Sequence, residues 1–247
     1  MTELAIIGGS GLARLQDLEK VRGEVFHTPY GDPSGELVFG NLQGHDVVFL
    51  ARHGAGHTIP PHRINYRANL WALKNSGIKQ VIAVCAVGGI REDMQAATVI
   101  IPDQIIDYTW SREHTLFDED LALVTHIDFT EPYSRELRSM LIDSAGRAGV
   151  DVIASGTYGA TQGPRLETAA EINRMENDGC HMVGMTGMPE AALARELGLD
   201  YAVCAVSANL AAGRGSGPIE MKDIEDSLSA GMEKVGLIIE QAVAVPC

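Results

Sequence analysis

The feature that most constrains this fold is the regular alternation of strand-length apolar runs with segments of helical spacing. Residues 81–84 and 201–206 are short and apolar, as buried strands are. Residues 134–148 instead repeat apolar positions at helical spacing and end before a glycine. Repeated strand-then-helix units are typical of an α/β sheet flanked by helices. The length of 247 residues fits one such domain, 1–247, better than two small ones.

The same pattern assigns elements along the whole chain. The predicted strands cover 4–7, 37–39, 47–51, 81–84, 99–101, 105–106, 152–161, 182–185 and 201–206. The predicted helices cover 66–75, 134–148, 168–178, 189–197 and 219–244. The stretch 208–218 is rich in Gly and Ala, which favours a mobile loop beside a functional site.

The charge of the chain limits its partners. The formal net charge is −14, whereas binding to a nucleic acid backbone requires clustered Lys and Arg. We therefore predict no nucleic acid partner. A single cationic pocket for a small anionic substrate is still compatible with an acidic protein.

Nothing in the pattern predicts secretion or a membrane. The first eight residues lack a basic segment followed by a long apolar one, and no apolar run approaches the roughly 18 residues that a membrane span needs. Four cysteines are scattered without a Cys-x-x-Cys pair, which favours reduced thiols and a cytoplasmic protein. They are Cys85, Cys180, Cys204 and Cys247.

Six polar or glycine-rich motifs follow or adjoin predicted strands. In an open α/β sheet, ligands bind beyond the carboxyl ends of the strands. The shared placement therefore predicts one ligand site rather than six unrelated loops. The motifs cover 8–11, 52–57, 86–89, 163–167, 185–190 and 207–209.

The first motif, Gly8-Gly9-Ser10-Gly11, has the composition of an anion-binding turn. Glycines let backbone N–H groups approach an anion, and the Ser10 hydroxyl adds a donor. A plain tight turn after a strand has the same composition, so both interpretations stay open. A dinucleotide fingerprint is disfavoured because Arg14 stands at the position of its third glycine.

The segment 51–57, Ala-Arg-His-Gly-Ala-Gly-His, is a stronger candidate. The planar guanidinium of Arg52 matches phosphate oxygens. His53 and His57 have the spacing of a helical zinc pair, but the glycines oppose a helix and a third ligand is missing. We therefore predict no metal. A surface turn with incidental histidines is the alternative.

Three further candidates each have an ordinary structural explanation. Glu167 follows a Gly-Pro turn and also suits the first turn of a helix. Thr186 precedes a predicted helix, where a hydroxyl often serves as a cap. Asn209 ends a strand, where Asn is a common turn former. By themselves these residues leave the choice open.

Taken together, the motifs resemble those of the trimeric nucleoside phosphorylase family, which includes methylthioadenosine phosphorylases and 6-oxopurine nucleoside phosphorylases. The resemblance covers nearly the whole chain, and eight motifs in a fixed order make it specific. They are Gly8-Gly9-Ser10-Gly11, Thr28-Pro29-Tyr30-Gly31, Ala51-Arg52-His53-Gly54, Asn65-Tyr66-Arg67-Ala68-Asn69, Gly88-Gly89-Ile90-Arg91, Gly163-Pro164-Arg165, Met185-Thr186 and Pro189-Glu190.

The resemblance implies a mixed, twisted sheet surrounded by helices, assembled as a homotrimer. It implies inorganic phosphate as a co-substrate and no metal or organic cofactor. It assigns the ribose to Met185 and His57. The chain departs from the family at Cys85, where Thr or Ser usually supplies a phosphate donor. The residues assigned to phosphate are Ser10, Arg52, His53, Thr186 and the backbone N–H of Ala86.

The base pocket resembles that of the 6-oxopurine enzymes, which have Tyr or Phe, Glu and Asn where this chain has Leu166, Glu167 and Asn209. An ionised Glu167 only accepts hydrogen bonds, which suits N1–H of hypoxanthine, and the Asn209 amide donates to O6 or N7. Adenine reverses this pattern. We therefore predict that Glu167 and Asn209 are catalytic and select a 6-oxopurine.

The 5′ side of the sugar site indicates a methylthio group. Met221 and Ile224 stand where the 6-oxopurine enzymes place a His over the 5′-hydroxyl, and an apolar surface suits a thioether. His126 matches a residue that the neighbouring subunit supplies in the family. Helix core is the alternative for Met221 and Ile224. The combination predicts phosphorolysis of methylthioinosine.

Three other functions stay open at this point. They are an inosine and guanosine phosphorylase, a methylthioadenosine phosphorylase, and a nucleoside-binding protein without catalysis. The last is open because Cys85 weakens one phosphate contact. The nucleosides that the protein cleaves in phosphate buffer, and the bases that they release, distinguish all of these functions.

Overall fold

The computed structural model describes residues 3–9, 18–118, 123–215, 217 and 220–245. These residues form one large mixed sheet with helices on both faces, so the predicted α/β fold is confirmed. Strands β1–β11 are Leu4–Gly8, Glu19–Glu24, Leu37–Leu42, His45–Ala51, Gln80–Gly89, Val99–Ile100, Gln104–Asp107, Val152–Ile153, Thr157–Ala160, Met182–Gly184 and Asp200–Leu210. Helices α1–α5 are Tyr66–Asn75, Arg135–Ala148, Ala169–Asn177, Gly187–Glu196 and Met221–Val243.

The central strand β5 pairs with two different strands along one of its edges. Its first half pairs in parallel with β1 on one edge, through Leu4–Ile7, while β11 runs parallel to it on the other edge. Strand β10 joins the first edge only at Gly88 and Gly89, and it runs antiparallel. Residues 84–87 therefore lie between the two partners, where the described chain provides no strand on that edge. This opening in the sheet is where the site forms.

The two faces of the sheet have separate apolar cores. Leu70 and Leu73 of α1 and Leu193 of α4 pack with buried residues such as Ile7 and Val81 on one face. On the other face, α2 and α5 pack against the alternate side chains of the same strands. The period-two alternation of each strand divides its side chains between these layers. Burial on both faces explains why β1 and β5 are almost wholly apolar.

Local capping explains where the helices begin and end. The Ser134 side chain accepts a hydrogen bond from Leu137 N at the start of α2, and Gly149 ends that helix with φ 67°. Thr168 and Glu171 form a reciprocal capping box at the start of α3. These polar boundaries are visible in the sequence, so most predicted bounds fall within a few residues of the structure.

One strand was missed by the sequence reasoning, and two predictions about the elements were wrong. Strand β2 is fully exposed and polar, so it has no apolar alternation to reveal it. The predicted strand 152–161 is two strands, because Gly156 interrupts it with φ 159°. Residues 208–210 do not belong to a loop: β11 continues to Leu210 through a bulge after Ser207.

None of the helices in the described part of the chain combines the length and apolar composition that crossing a bilayer requires.

Candidate active site

The opening beside residues 84–87 brings together chain segments that are far apart in sequence. The backbone N–H of Arg52, just after β4, donates to Gly8 O at the end of β1 at 3.0 Å. Its Nη1 donates to Val84 O at 2.9 Å. Thr186, just after β10, lies with its Oγ1 3.4 Å from the Cys85 Sγ. The sheet therefore places the predicted phosphate residues Arg52 and Thr186 beside β5, the strand that carries Ala86.

The glycine at position 9 is required by this close packing. A Cβ there would lie 2.6 Å from Val84 O and 2.9 Å from Arg52 Nη1. Only a residue without a side chain allows the turn to approach both groups. Ser10, the next predicted phosphate residue, lies outside the described residues.

Arg52 is completely buried and forms a bidentate ion pair with Glu190 at the start of α4. Its Nε donates to Oε2 at 2.7 Å and its Nη2 donates to Oε1 at 2.8 Å. Tyr201 also donates to Glu190 Oε1 at 2.8 Å, which fixes the carboxylate. Burial, the largest single influence, lowers the pKa of Arg52, but the charge and hydrogen bonds of Glu190, together with Cys85 and Tyr201, outweigh it and raise that pKa.

This pairing changes the interpretation of Arg52. The planar fork that suited phosphate is occupied on one side by Glu190. Its bonds to Glu190 and Val84 use three of five N–H groups, so the guanidinium retains donors for an anion. Its cationic form is also secured, because a buried charge with a bonded partner does not neutralise.

His53 is buried and neutral. Its Nδ1 lies 2.7 Å from Ile59 O, and since a carbonyl only accepts, Nδ1 carries the proton. Burial lowers the pKa of His53 to about 4, and the Arg52 charge acts in the same direction. At pH 7 Nε2 is therefore a lone-pair acceptor. The His57 ring lies 4.4 Å away between centroids.

Cys85 occupies the position where the sequence departs from the resembling family. Its side chain is buried, and burial raises the pKa of the thiol, so the sulfur stays protonated. The 3.4 Å contact with Thr186 Oγ1 makes Cys85 a neighbour of the predicted phosphate donor.

On the base side, Glu167 is held by a neighbouring hydroxyl. Thr161 is buried, and its Oγ1 donates to Glu167 Oε1 at 2.7 Å. Leu166, the residue before Glu167, is exposed. Thr161 continues the line of β9, and its N–H donates to Gly184 O of β10 at 2.8 Å.

Asn209 lies on β11, two strands away from β10, the strand to which Thr161 bonds. It pairs with Gly88 of β5 at the bulge in β11, and Gly88 pairs on its other side with Val183 of β10. The Asn209 side chain donates to Leu210 O at 2.6 Å. The amide is therefore turned to its own strand and must rotate to donate to a base.

The segment 161–167 meets the segment 185–190 at Met185. Gly163 has φ 60°, and a Cβ there would lie 2.4 Å from the Met185 Sδ. The turn at 163 therefore packs directly on Met185, the residue predicted to contact ribose. His57, the other predicted ribose residue, is exposed.

The predicted 5′ residues lie on the surface. Met221 is 65% exposed at the first position of α5. Ile224 packs partly against the apolar core of its layer, in line with the helix-core alternative. His126 is exposed in a loop beside Leu123 and Val124, which are also exposed.

Comparison with known proteins identifies the family of this chain. The sequence profile of the Phosphorylase superfamily matches residues 3–244. The chain belongs to this superfamily. The family predicted from the eight motifs is therefore confirmed.

Relatives and solved structures narrow the likeness. The chain is 52% identical to a protein named as a probable S-methyl-5′-thioinosine phosphorylase of Pseudomonas syringae pv. tomato, over 95% of this chain and 96% of that one. It is 42% identical to the 6-oxopurine nucleoside phosphorylase of Pyrococcus furiosus, over 98% and 92%. The methylthioadenosine phosphorylase of Schistosoma mansoni in complex with adenine superposes with a TM-score of 0.94 at 32% identity, over 99% and 91%.

The sequence reasoning gave no role to two buried charged residues that contact the predicted site of this phosphorylase superfamily member. Glu190 stood in the motif Pro189-Glu190, but without a role. The only signal in the sequence was an acid at the first turn of an apolar helix, which normally indicates a dipole interaction. Arg112 belongs to none of the motifs, although it is buried and its guanidinium donates to the backbone of the loops that hold the predicted site.

The charges and hydrogen-bond donors of the candidate site suit anion binding. Among the described residues, no group of three or more His, Cys, Asp or Glu side chains could hold a metal ion. The site combines a secured cation, a neutral histidine and a buried threonine beside the opening in the sheet. An acceptor-only carboxylate lies on the loop after β9, and an amide lies on β11 opposite Gly88. This set can bind an anion and a polar heterocycle side by side.

Proposed function

We propose that the protein is a purine nucleoside phosphorylase that cleaves S-methyl-5′-thioinosine with inorganic phosphate. The products are hypoxanthine and 5-methylthioribose 1-phosphate. Relatives at about 50% identity carry the name S-methyl-5′-thioinosine phosphorylase, and further relatives are named 6-oxopurine nucleoside phosphorylase. Inorganic phosphate is a co-substrate, and the proposed reaction needs no metal or organic cofactor.

The observation that carries the base preference is the bond between Thr161 and Glu167. The hydroxyl proton of Thr161 is donated to Oε1 at 2.7 Å, which leaves Oε2 as an oriented acceptor. An acceptor suits N1–H of hypoxanthine and opposes the N1 lone pair of adenine. A site whose buried groups lose their partners with the wrong base discriminates by about 10⁴-fold.

Phosphorolysis follows from these groups. A phosphate oxygen bonds to C1′ as the N-glycosidic bond breaks, and the electron pair of the broken bond leaves with the purine. The purine anion then takes up a proton from water to give hypoxanthine, while the hydrogen phosphate group bound to C1′ releases its proton to water. Positive charge develops on the sugar, which the phosphate anion stabilises. Negative charge spreads over N7 and O6 of the purine, where the Asn209 amide donates a hydrogen bond. Losing one such donor typically costs about 10²–10³ in rate.

The phosphate side contributes charge and orientation. Arg52 supplies a permanent positive charge that Glu190 holds in place. Thr186, the Ala86 backbone N–H and Ser10 donate to the remaining oxygens. Neutral His53 offers Nε2 as an acceptor, which suits the single O–H of hydrogen phosphate. Fixed alignment of phosphate with C1′ supplies much of the rest of the rate.

The sugar side completes the assignment. Met185 and His57 contact ribose. Met221 and Ile224 face the 5′-methylthio group, with His126 of a neighbouring subunit in a homotrimer. The exposed apolar residues Leu123 and Val124 beside His126 favour burial against such a neighbour. Buried free thiols such as Cys85, Cys180 and Cys204 are consistent with a cytoplasmic location.

Phosphorolysis of four nucleosides side by side tests the proposal. Methylthioinosine, inosine, methylthioadenosine and adenosine are incubated with and without phosphate, and the released base is measured by chromatography. We expect phosphate-dependent release, with methylthioinosine at least about tenfold ahead of inosine in kcat/KM. We expect the two adenine nucleosides to be slower still.

Each rival predicts a different order. Faster inosine would indicate a 6-oxopurine nucleoside phosphorylase, the activity that the Pyrococcus furiosus relative is named for. Adenine release at comparable efficiency would contradict the role given to Glu167. Binding without turnover in phosphate would indicate a nucleoside-binding protein. Light scattering at micromolar concentration checks the trimer.

A further inference from the structure

Arg112 is a buried cation with an unusual set of partners. It lies in the segment between β7 and α2 and is only 9% exposed. Its guanidinium has five N–H groups, and six acceptors lie within hydrogen-bond distance. The acceptors are Gln162 Oε1 at 3.1 Å, Tyr66 Oη at 3.3 Å, Met185 O at 2.9 Å, Met188 O at 2.6 Å, Thr161 O at 3.1 Å and Gln162 O at 2.8 Å.

All six acceptors are neutral. Within the described residues Arg112 forms no ion pair, in contrast to Arg52. The Arg112 Cζ lies 5.5 Å from the centroid of the Tyr66 ring, which also stabilises a cation. Burying a charge without a counter-charge is costly, so hydrogen bonds must offset the cost. Such an arrangement is expensive as a purely structural device.

The carbonyl groups belong to two loops that do not follow each other in the chain. Thr161 and Gln162 lead into the turn at Gly163 and on to Glu167. Met185 and Met188 bracket Thr186, the predicted phosphate donor. A single rigid guanidinium therefore sets the distance between the loop of the base acceptor and the loop of the phosphate donor. The contact of Gly163 with the Met185 Sδ lies in the same joint.

We propose that Arg112 is a positioning residue for phosphorolysis. It holds the base loop, residues 161–167, and the phosphate loop, residues 185–190, at the spacing that aligns phosphate with C1′. This role rests on the proposed function, because it requires nucleoside and phosphate to occupy these two loops together. A misplacement of about 1 Å in such an alignment costs about 10²-fold in rate.

The chain offers a matched control in Arg138 of α2. Its Nε donates to Pro102 O at 2.7 Å and its Nη2 donates to Ala154 O at 2.6 Å. Arg138 therefore also ties separate backbone segments together, but beside β6 and β8 rather than at the loops of the site. A variant of Arg138 reports the cost of losing such a tie without affecting substrate alignment.

The experiment compares Arg112→Met, Arg112→Lys and Arg138→Met with the wild type. For each protein kcat and the KM values for nucleoside and phosphate are measured, together with Tm. The nucleoside is whichever of the four the wild type cleaves best. We expect Arg112→Met to lower kcat/KM by about 10²-fold or more and to raise both KM values. We expect the kcat/KM of Arg138→Met to stay within about threefold of wild type, even if its Tm falls by as much as the Tm of Arg112→Met.

The Arg112→Lys variant separates positioning from folding. A lysine side chain keeps the charge but offers three donors instead of a planar fork of five, so we expect partial activity with both KM values still raised. If Arg112→Met does not fold, the kinetics of Arg112→Lys test the positioning role by themselves. Wild-type kinetics in Arg112→Lys, or equal losses in Arg112→Met and Arg138→Met, would overturn the proposal.

Failure of the underlying function gives a different result. A wild type that cleaves no purine nucleoside in phosphate would overturn the proposed function, and the role of Arg112 with it. An active wild type with unaffected Arg112 variants would overturn only the positioning role.

Discussion

The phosphate side and the 5′ side of this site are built in opposite ways. On the phosphate side Arg52, Glu190 and Thr186 are buried in the opening of the sheet, and each is bonded within the chain. On the 5′ side Met221 and His126 lie exposed on the surface. The contrast teaches that, under the proposed function, the core positions the groups assigned to phosphate. We therefore expect selection of the 5′ group to depend on surface residues, which a ligand or a neighbouring subunit would cover under the proposed function.

The largest expected effect comes from removing the Glu190 carboxylate on the phosphate side. Glu190→Gln leaves Arg52 as a buried charge without its partner, so we expect a loss of about 3–5 kcal/mol in the free energy of unfolding. Urea denaturation measures the loss. The exposed pair of Lys20 and Glu36 provides the control, where Glu36→Gln should cost about 1 kcal/mol or less. Equal losses in the two variants would contradict the contrast.

The base side lies between the two extremes, since Asn209 is half-buried. Asn209→Asp replaces the donor to N7 or O6 with a negative charge, so we expect 6-oxopurine turnover to fall by about 10²–10³-fold and some adenine nucleoside to be accepted. Steady-state kinetics with methylthioinosine and methylthioadenosine measure both effects. Asn75→Asp, on the exposed end of α1, is the control and should leave both rates unchanged. Unaltered selectivity in Asn209→Asp would count against the assigned role.

The 5′ side should respond more weakly and only in substrate choice. Met221→Ala removes the apolar surface that the proposal assigns to the methylthio group, which is worth about 1–3 kcal/mol, or roughly 10–200-fold in selectivity. We expect kcat/KM to fall for methylthioinosine and to change little for inosine, with the same Tm as wild type because Met221 is exposed. A parallel loss on both substrates would show that Met221 acts through the helix rather than the ligand.

The buried histidine predicts a pH effect on stability that the surface should lack. Burial lowers the pKa of His53 to about 4 in the folded state, below its ordinary value of about 6.5. Between these two pH values the unfolded chain binds a proton that the folded chain does not. The contribution of neutral His53 to the free energy of unfolding is therefore fully present above about pH 6.5 and is lost as the pH falls toward 4. His53→Gln should flatten this part of the stability curve.

Urea midpoints at pH 7 and pH 5, measured without phosphate, test the histidine prediction. His27→Gln is the matched control because the His27 side chain is 88% exposed. It should keep the wild-type difference between the two pH values. The same difference in His53→Gln and the wild type would show that other groups cause it.

Much of the fold was predictable because its signals are local. The apolar runs of β1, β5 and β11, and the caps Ser134 and Thr168, each lie within a few residues of the feature they indicate. Strand β2 gave no such signal, since its residues are exposed and it is ordered by pairing with β3. The extension of β11 to Leu210 was hidden for a similar reason: Ala208 to Leu210 are strand only because β5 lies alongside.

The sequence by itself determined the superfamily, the mixed α/β architecture and the chemical types of the candidate residues. Motif order and the spacing of apolar residues can be read directly from the chain, without the fold. Only the tertiary structure decided how the buried charges are satisfied. Arg52 meets a carboxylate 138 positions away, and Arg112 meets only neutral groups from three distant segments. The physical reason is that desolvation makes each buried charge depend on whichever acceptors the fold brings within about 3 Å. No local pattern contains that information.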